Sequence, residues 1–348
     1  METRILKIED LESNQLELKL AADTLAEGKL VVFPTETVYG LGANALDQNA
    51  VKRIFEAKGR PSDNPLIVHI SQIEQLTSLV KSIPPKAQTL MDAFWPGPLT
   101  LVFFKSESVS NEVTAGLTTV AIRMPDNEIA LRIISLSGVP IAAPSANLSG
   151  RPSPTEAIHV IEDLFGRVDI IVDGGSCSVG LESTVLDITV DPPVVLRPGG
   201  ITAEMLEEVI GPVIGDKPSE ISVNDTPKSP GMKYRHYAPK AEMTIVSGDS
   251  DRVVCEVNRL VKKCREGNLK VGVLASRETC KRYDAQVVLS PGSRERLEDV
   301  AGEIYACLRS FDDAGVDVIY AEAFSEEGIG HAIMNRLRKA AAGRMIEV

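Results

Sequence analysis

The feature that most constrains how this chain folds is a break. From Gly211 to Lys240 every periodic pattern stops: GPVIGDKPSEISVNDTPKSPGMKYRHYAPK holds five prolines and little apolar content, which is the composition of a linker. On either side of it strand-like runs alternate with amphipathic helical ones, the pattern of mixed α/β architecture. A length of 348 residues exceeds what one hydrophobic core sustains, and 43% hydrophobic content can bury a sizeable core. The expected organisation is a first domain over 1–212, a linker or lid over 213–240, and a small second domain over 241–348.

In the first part, VVFP opens a strand at Val31. Asp47 is placed to cap a helix in which Val51, Ile54 and Phe55 share one face, and Gly59 supplies its stop, so Lys58 and Arg60 straddle the helix exit. Further strands are expected at LIVHI (66–70), LTLVFF (99–104), TVAIRM (119–124), VPIAA (139–143), VDIIVD (168–173), STVLDI (183–188) and VVLR (194–197). Several end in polar clusters, where α/β folds place ligands. Beyond the break, MTIVSG, a helix from about Asp251 to Arg265, VGVLAS, a short helix, QVVLS, a helix with Leu297, Val300, Ala301, Ile304, Leu308 and Phe311 on one face, VDVIYAEAF and a last helix over 330–341 predict a small parallel sheet. That domain reads as Rossmann-like, without a G-x-G-x-x-G to support dinucleotide binding.

A net charge of -12 and a pI near 5.0 oppose broad binding of nucleic acid or anionic membrane, so any phosphate site must be a local basic pocket. Cys177, Cys255, Cys264, Cys280 and Cys307 are odd in number and lack C-x-x-C spacing, which reads as reduced thiols in a cytoplasmic setting. Neither a signal peptide nor an 18-residue apolar run is present, so no membrane span is expected.

The chemistry must come from a few constellations. Lys58-x-Arg60 with Ser62, Asp63 and Asn64 offers two permanent cations and several donors, as phosphate recognition requires; the alternative is a solvated basic helix end complementing the helix dipole. APSANLSGRPSPT presents Ser145, Asn147, Ser149 and Ser153 on a turn-rich backbone that either faces a ligand or is an ordinary loop. Arg123 lies inside VAIRM, where a core-facing guanidinium needs an anion, a carboxylate being suited; otherwise it faces outward. His69 and Arg197 sit similarly in LIVHI and VVLRPGG, and Ser183 and Thr184 open a strand. SPGMKYRHYAPK concentrates Lys233, Arg235, His236, Lys240 and two tyrosines with no acid, which fits a lid that stacks on a base or covers phosphates.

PTETVYGLGANA, the K-x-R of AKGRPSDNPL, the S-x-N of APSANLSG, LESTVLD, LRPGG and SPGMKYRHYAP, in that order, resemble the two-domain threonylcarbamoyl-adenylate synthases, whose first half is a YrdC-like domain. The resemblance implies a YrdC-like twisted mixed sheet with helices, plus a small Rossmann-like parallel α/β domain on a long linker. It implies an enzyme that makes threonylcarbamoyl-AMP and pyrophosphate from L-threonine, bicarbonate or CO2, and ATP, for threonylcarbamoyladenosine modification of tRNA. Nucleotide contacts then fall on Lys58, Arg60, Asn64, Thr119, Ser145, Asn147, Ser153 and Arg197, with His236 or Tyr237 from the linker. Threonine contacts fall on Thr37, His69, Arg123, Ala143 and Ser183, with Thr35 close by.

Lys58 and Arg60 are the expected catalytic cations, because charge gathers on carbamate, phosphoryl oxygens and pyrophosphate together. Mg2+ is expected with ATP, held by substrate oxygens and water, since no dedicated carboxylate cage and hence no metal-ligating set is evident. The downstream partner is a threonylcarbamoyl-transfer machinery acting on tRNA, and stable nucleic-acid binding is not expected. Two alternatives remain at this point. One is another YrdC-type carbamoyl-transfer enzyme, disfavoured by the absence of an acylphosphatase-like domain and paired C-x-x-C fingers. The other is an RNA-binding or regulatory YrdC-like module, disfavoured by the charge.

Overall fold

The computed structural model describes residues 2–215 and 237–348, which form two compact units. Gly150–Ser153 and Val179–Leu181 group with the second unit. Most of the expected linker, including His236, lies outside the described residues.

The first unit is built on ten strands: β1 (Arg4–Lys7), β2 (Val31–Phe33), β3 (Gly40–Asn44), β4 (Ile67–His69), β5 (Leu99–Phe104), β6 (Thr119–Arg123), β7 (Ile141–Ala142), β8 (Ile170–Asp173), β9 (Thr184–Asp187) and β10 (Val194–Arg197). They form one mixed sheet in the order β1-β8-β2-β3-β7-β4-β6-β5-β9-β10. Alternation along each strand sends side chains to opposite faces. Val32, Leu41, Val68, Ile122, Ala142, Ile171 and Leu186 enter one large core. The helices Gln48–Lys58, Pro85–Phe94, Ala157–Leu164 and Ala203–Ile210 contribute to that same core. Their neighbours Val31, Phe33, Ile141, Ile170 and Val172 enter a second core against helices Gln15–Ala26 and Glu128–Ser137.

The site depends on the other half of the second face. There, Ile67 of β4, Val102 of β5, Ala121 of β6 and Val185 of β9 make a small cluster drawn wholly from strands. By the same two-residue period, His69, Thr100, Thr119, Arg123 and Ser183 share that face. Sequence pattern thus separates a hydrophobic face from a polar one within the same strands.

Helix Gln48–Lys58 forms as its ends predict. Asp47 accepts hydrogen bonds from the amides of Asn49 and Ala50, and Gly59 closes the helix in the left-handed region at φ 60°. The second unit carries β11 (Glu242–Ser247), β12 (Val271–Leu274), β13 (Val287–Leu289), β14 (Val318–Glu322) and β15 (Met345–Glu347) in the order β13-β12-β14-β11-β15, with every pairing parallel. Helices Ser250–Glu266, Leu297–Ala314 and Ile329–Ala340 alternate with these strands, as a parallel sheet requires.

Candidate active site

Arg123 ends β6 beside His69, its register partner at the end of the parallel strand β4. The residue is 3% exposed, and each of its three nitrogens meets a different group. Nε donates to the Gly97 carbonyl at 3.2 Å, Nη1 donates to Thr37 Oγ1 at 2.8 Å, and Nη2 is ion-paired with Glu36. The anion that this buried cation demands is therefore a carboxylate of the chain itself. Thr35 and Thr37 share a hydroxyl hydrogen bond of 2.8 Å, and Thr35 Oγ1 also donates to the Val38 carbonyl at 2.7 Å, so the Thr35–Val38 turn is closed by its own hydroxyls.

Burial, and secondarily the charge of Arg123, lowers the His69 pKa to about 3, so the ring is neutral at physiological pH. Its Nδ1 is buried without a hydrogen bond among the described residues. Burial pushes the Cys177 thiol up to about 12, and the thiol meets the Thr35 backbone with Glu36 and Arg123 nearby.

Arg197 reaches the same face through a bulge. β10 pairs Val194 with Asp187 and Val195 with Leu186, then skips so that Arg197 lies opposite Val185. The extra residue re-aims the guanidinium. Its Nε and Nη2 donate to the Ser183 carbonyl at 3.0 and 2.9 Å, and Nη2 also donates to Ser183 Oγ at 3.0 Å. Ser183 Oγ in turn lies 2.7 Å from Thr100 Oγ1. The Thr184 amide donates to the Pro98 carbonyl at 3.0 Å, next to the Gly97 that receives Arg123, which ties the two guanidinium centres to one segment.

Lys58 is 3% exposed and is not a solvated helix end. Its ammonium donates to the Ser145 carbonyl and, at 2.7 Å, to the Asn147 carbonyl, folding the S-x-N loop around a buried charge. Ser145 Oγ donates to Asn147 Oδ1 at 2.6 Å, and Ser145 bridges Gly40. The Ala143 amide donates to the Ile67 carbonyl at 2.9 Å. Arg60, just past the helix exit, is 9% exposed. Asn64 is fully buried, and neither its Oδ1 nor its Nδ2 has a hydrogen bond among the described residues. Buried polar groups are normally paired, so the Asn64 amide and His69 Nδ1 are exceptions within this unit.

The expected residues thus gather into a Lys58–Ser145–Asn147 group and an Arg123–Thr35–Thr37–His69 group, the latter joined to Ser183 and Arg197. Thr119 shares the face of Arg123 but begins β6, so the strand's full length separates them. Ser153 is fully buried within a segment that groups with the second unit. Tyr237 is also of that unit: its ring stacks on Tyr305 at 5.5 Å between centroids, beneath the Arg336 guanidinium at 5.4 Å. Glu36, Thr100 and Cys177 were not singled out from sequence. The signal for Glu36 was a lone acid between two threonines in an otherwise apolar VVFPTETVYG.

A mixed ten-stranded sheet with buried cations and hydroxyls on one face, followed by a small parallel α/β unit, defines the two-domain Sua5 class. The chain belongs to the threonylcarbamoyl-AMP synthase family. A family grouping Sua5, YciO and YrdC, described as telomere recombination, matches residues 23–199, and the threonylcarbamoyl-AMP synthase C-terminal domain matches residues 201–342. The threonylcarbamoyl-AMP synthase of Pyrococcus abyssi is 55% identical over 331 residues, covering 95% of this chain and 96% of the relative. That of Bacillus subtilis is 55% identical over 339 residues, covering 97% and 96%. The crystal structure of P. abyssi Sua5 complexed with L-threonine superposes with a TM-score of 0.93 at 52% identity, over 100% of both chains.

Proposed function

We propose that this protein is a cytoplasmic nucleotidyltransferase that joins L-threonine, bicarbonate or CO2, and ATP into threonylcarbamoyl-adenylate with release of pyrophosphate, its product feeding a separate threonylcarbamoyl-transfer machinery that acts on tRNA. The observation that carries this reading is that a chain of net charge -12 buries Lys58, Arg123 and Arg197 in one unit. Burying cations is costly unless anions complete the site.

In the proposed reaction the threonine carboxylate pairs with Arg123, and Thr35, Thr37, Ser183, His69 and the Ala143 backbone surround its amine and hydroxyl. The amine adds to CO2, and a carbamate oxygen attacks the α-phosphorus of ATP in line with pyrophosphate departure. Lys58, Arg60 and Arg197 stabilise the phosphoryl charge, with Asn64, Thr119, Ser145, Asn147, Ser153 and either His236 or Tyr237 orienting the nucleotide. Mg2+ travels with ATP on phosphate oxygens and water; among the described residues no group of three or more His, Cys, Asp or Glu side chains is set to hold a metal. No helix among them is long and apolar enough to cross a membrane.

The test is pyrophosphate release by purified protein with ATP, Mg2+, bicarbonate and threonine. Release should require all four, and release indifferent to threonine would rule the reading out.

A further inference from the structure

We infer that Glu36 first holds the Arg123 guanidinium and then, displaced by the carboxylate of the amino-acid substrate, takes a proton from that substrate's α-ammonium. The inference rests on the proposed reaction and adds a catalytic residue to it. Glu36 is 5% exposed, its Oε1 is ion-paired with Arg123 Nη2, and neither of its carboxylate oxygens has a hydrogen bond among the described residues. The other edges of Arg123 are taken by the Gly97 carbonyl and the Thr37 hydroxyl, neither of which carries charge. Glu36 is the one charged partner of Arg123 among the described residues, so a substrate carboxylate that takes the Nη2 contact does so by displacing Glu36.

The displaced Glu36 would remain a buried anion, and a buried anion needs a cation. An α-amino acid brings one: its ammonium is one carbon from its carboxylate, so the two arrive together beside Arg123 and Glu36. One ion pair becomes two with no change in net charge. The other groups around Arg123 make poor bases. His69 is neutral with its pKa lowered to about 3, chiefly by burial. The Cys177 thiol, facing Thr35, Glu36, Arg123 and Glu156, is held protonated by burial.

The steps balance. Glu36 Oε2 takes one proton and leaves a neutral amine. The amine lone pair forms the N–C bond to CO2 while a C=O π pair moves onto oxygen, and the nitrogen's surplus proton passes to water. The carbamate oxygen then attacks the α-phosphorus, and the bond to the β-phosphate oxygen breaks with its electron pair leaving on pyrophosphate. Glu36 returns its proton to water.

The test compares wild-type protein with Glu36→Gln and Glu36→Ala in threonine-dependent pyrophosphate release, with threonine affinity measured separately by calorimetry. Losing a general base typically costs about 10²–10⁴ in rate. Glu36→Gln should lose kcat in that range at pH ~7 while threonine still binds, and the deficit should shrink toward pH ~9.5 as solvent deprotonates the amine. Added formate should partly restore Glu36→Ala. A Glu36→Gln rate near wild type, or a deficit equal at every pH with no formate rescue, overturns the inference and shows a structural ion pair. Should both variants misfold, Glu36→Asp supplies the same pH comparison: a deficit shrinking with pH supports the base, a flat one refutes it. If the wild type itself shows no threonine-dependent release, the reaction fails and not merely the role of Glu36.

Discussion

Replacing Lys58 by methionine keeps an unbranched apolar side chain out to Cε at the packed end of helix Gln48–Lys58 and removes the ammonium. Two carbonyl acceptors, those of Ser145 and Asn147, then lose charge-assisted hydrogen bonds. Bonds to charged groups are each worth about 1.5–3 kcal/mol, and the relief of burying an ammonium offsets part of the sum, so the first unit should lose about 3 kcal/mol. At about 2–4 °C per kcal/mol for a unit of this size, its thermal midpoint should fall by about 6–12 °C. Catalysis should fall further than stability implies, by about 10²–10³, because the proposed reaction uses the Lys58 charge to stabilise the phosphoryl group. Differential scanning calorimetry and the pyrophosphate assay, run below the lowered midpoint, read the two effects separately. A midpoint unchanged within about 2 °C would show that Lys58 does not hold the Ser145–Asn147 loop. Undiminished turnover would show that its charge is not used.

Three further outcomes are expected. A Cβ at Gly199 would lie 2.3 Å from the Thr184 amide nitrogen and 2.5 Å from the Glu182 carbonyl oxygen, so Gly199→Ala should push this segment off Ser183 and Arg197, costing about 1–3 kcal/mol by urea denaturation together with activity. His69 has a folded pKa of about 3 against an unfolded value of 6.5. The unfolded chain therefore binds the extra proton between these values, and the stability contributed by neutral His69, full above pH 6.5, is lost as pH falls toward 3. His69→Gln should flatten stability against pH there by up to about 1.4 kcal/mol per pH unit, and an unchanged slope would place the ring in solvent. Deleting 229–239, most of which lies outside the described residues, should abolish adenylate formation while circular dichroism stays native. An active deletion variant would remove the proposed lid.

The strands expected at 66–70, 119–124, 139–143, 168–173 and 183–188 are each shorter by one to three residues, whereas Leu99–Phe104 and Val194–Arg197 were legible to the residue, because propensity and bounding polar residues agree. Gly40–Asn44 was not, since GLGAN has no strand propensity of its own. It pairs because Gly42 leaves room: a Cβ there would meet the Phe33 ring at 2.6 Å and Ile141 at 2.9 Å. The edge strands Arg4–Lys7 and Met345–Glu347 were too short to leave a pattern.

At the site, the need of Arg123 for an anion could be read from its apolar surroundings. Glu36 could not be identified as that anion, because the contact joins a distant loop to a strand end. The direction of Arg197 was equally hidden, since it turns on a bulge set by strand pairing. Lys58 carried the same ambiguity as any cation at a helix exit until the loop that buries it was placed.

The most direct measurement is mass spectrometry of the adenylate formed from ATP, threonine and 13C-bicarbonate. The account predicts a threonine-containing adenylate carrying the heavy carbon, and its loss in Lys58→Met and in Arg123→Gln. An adenylate without the label would mean that the carboxylate of threonine, and not a carbamate, attacks the α-phosphorus, which would contradict the proposed chemistry at its centre.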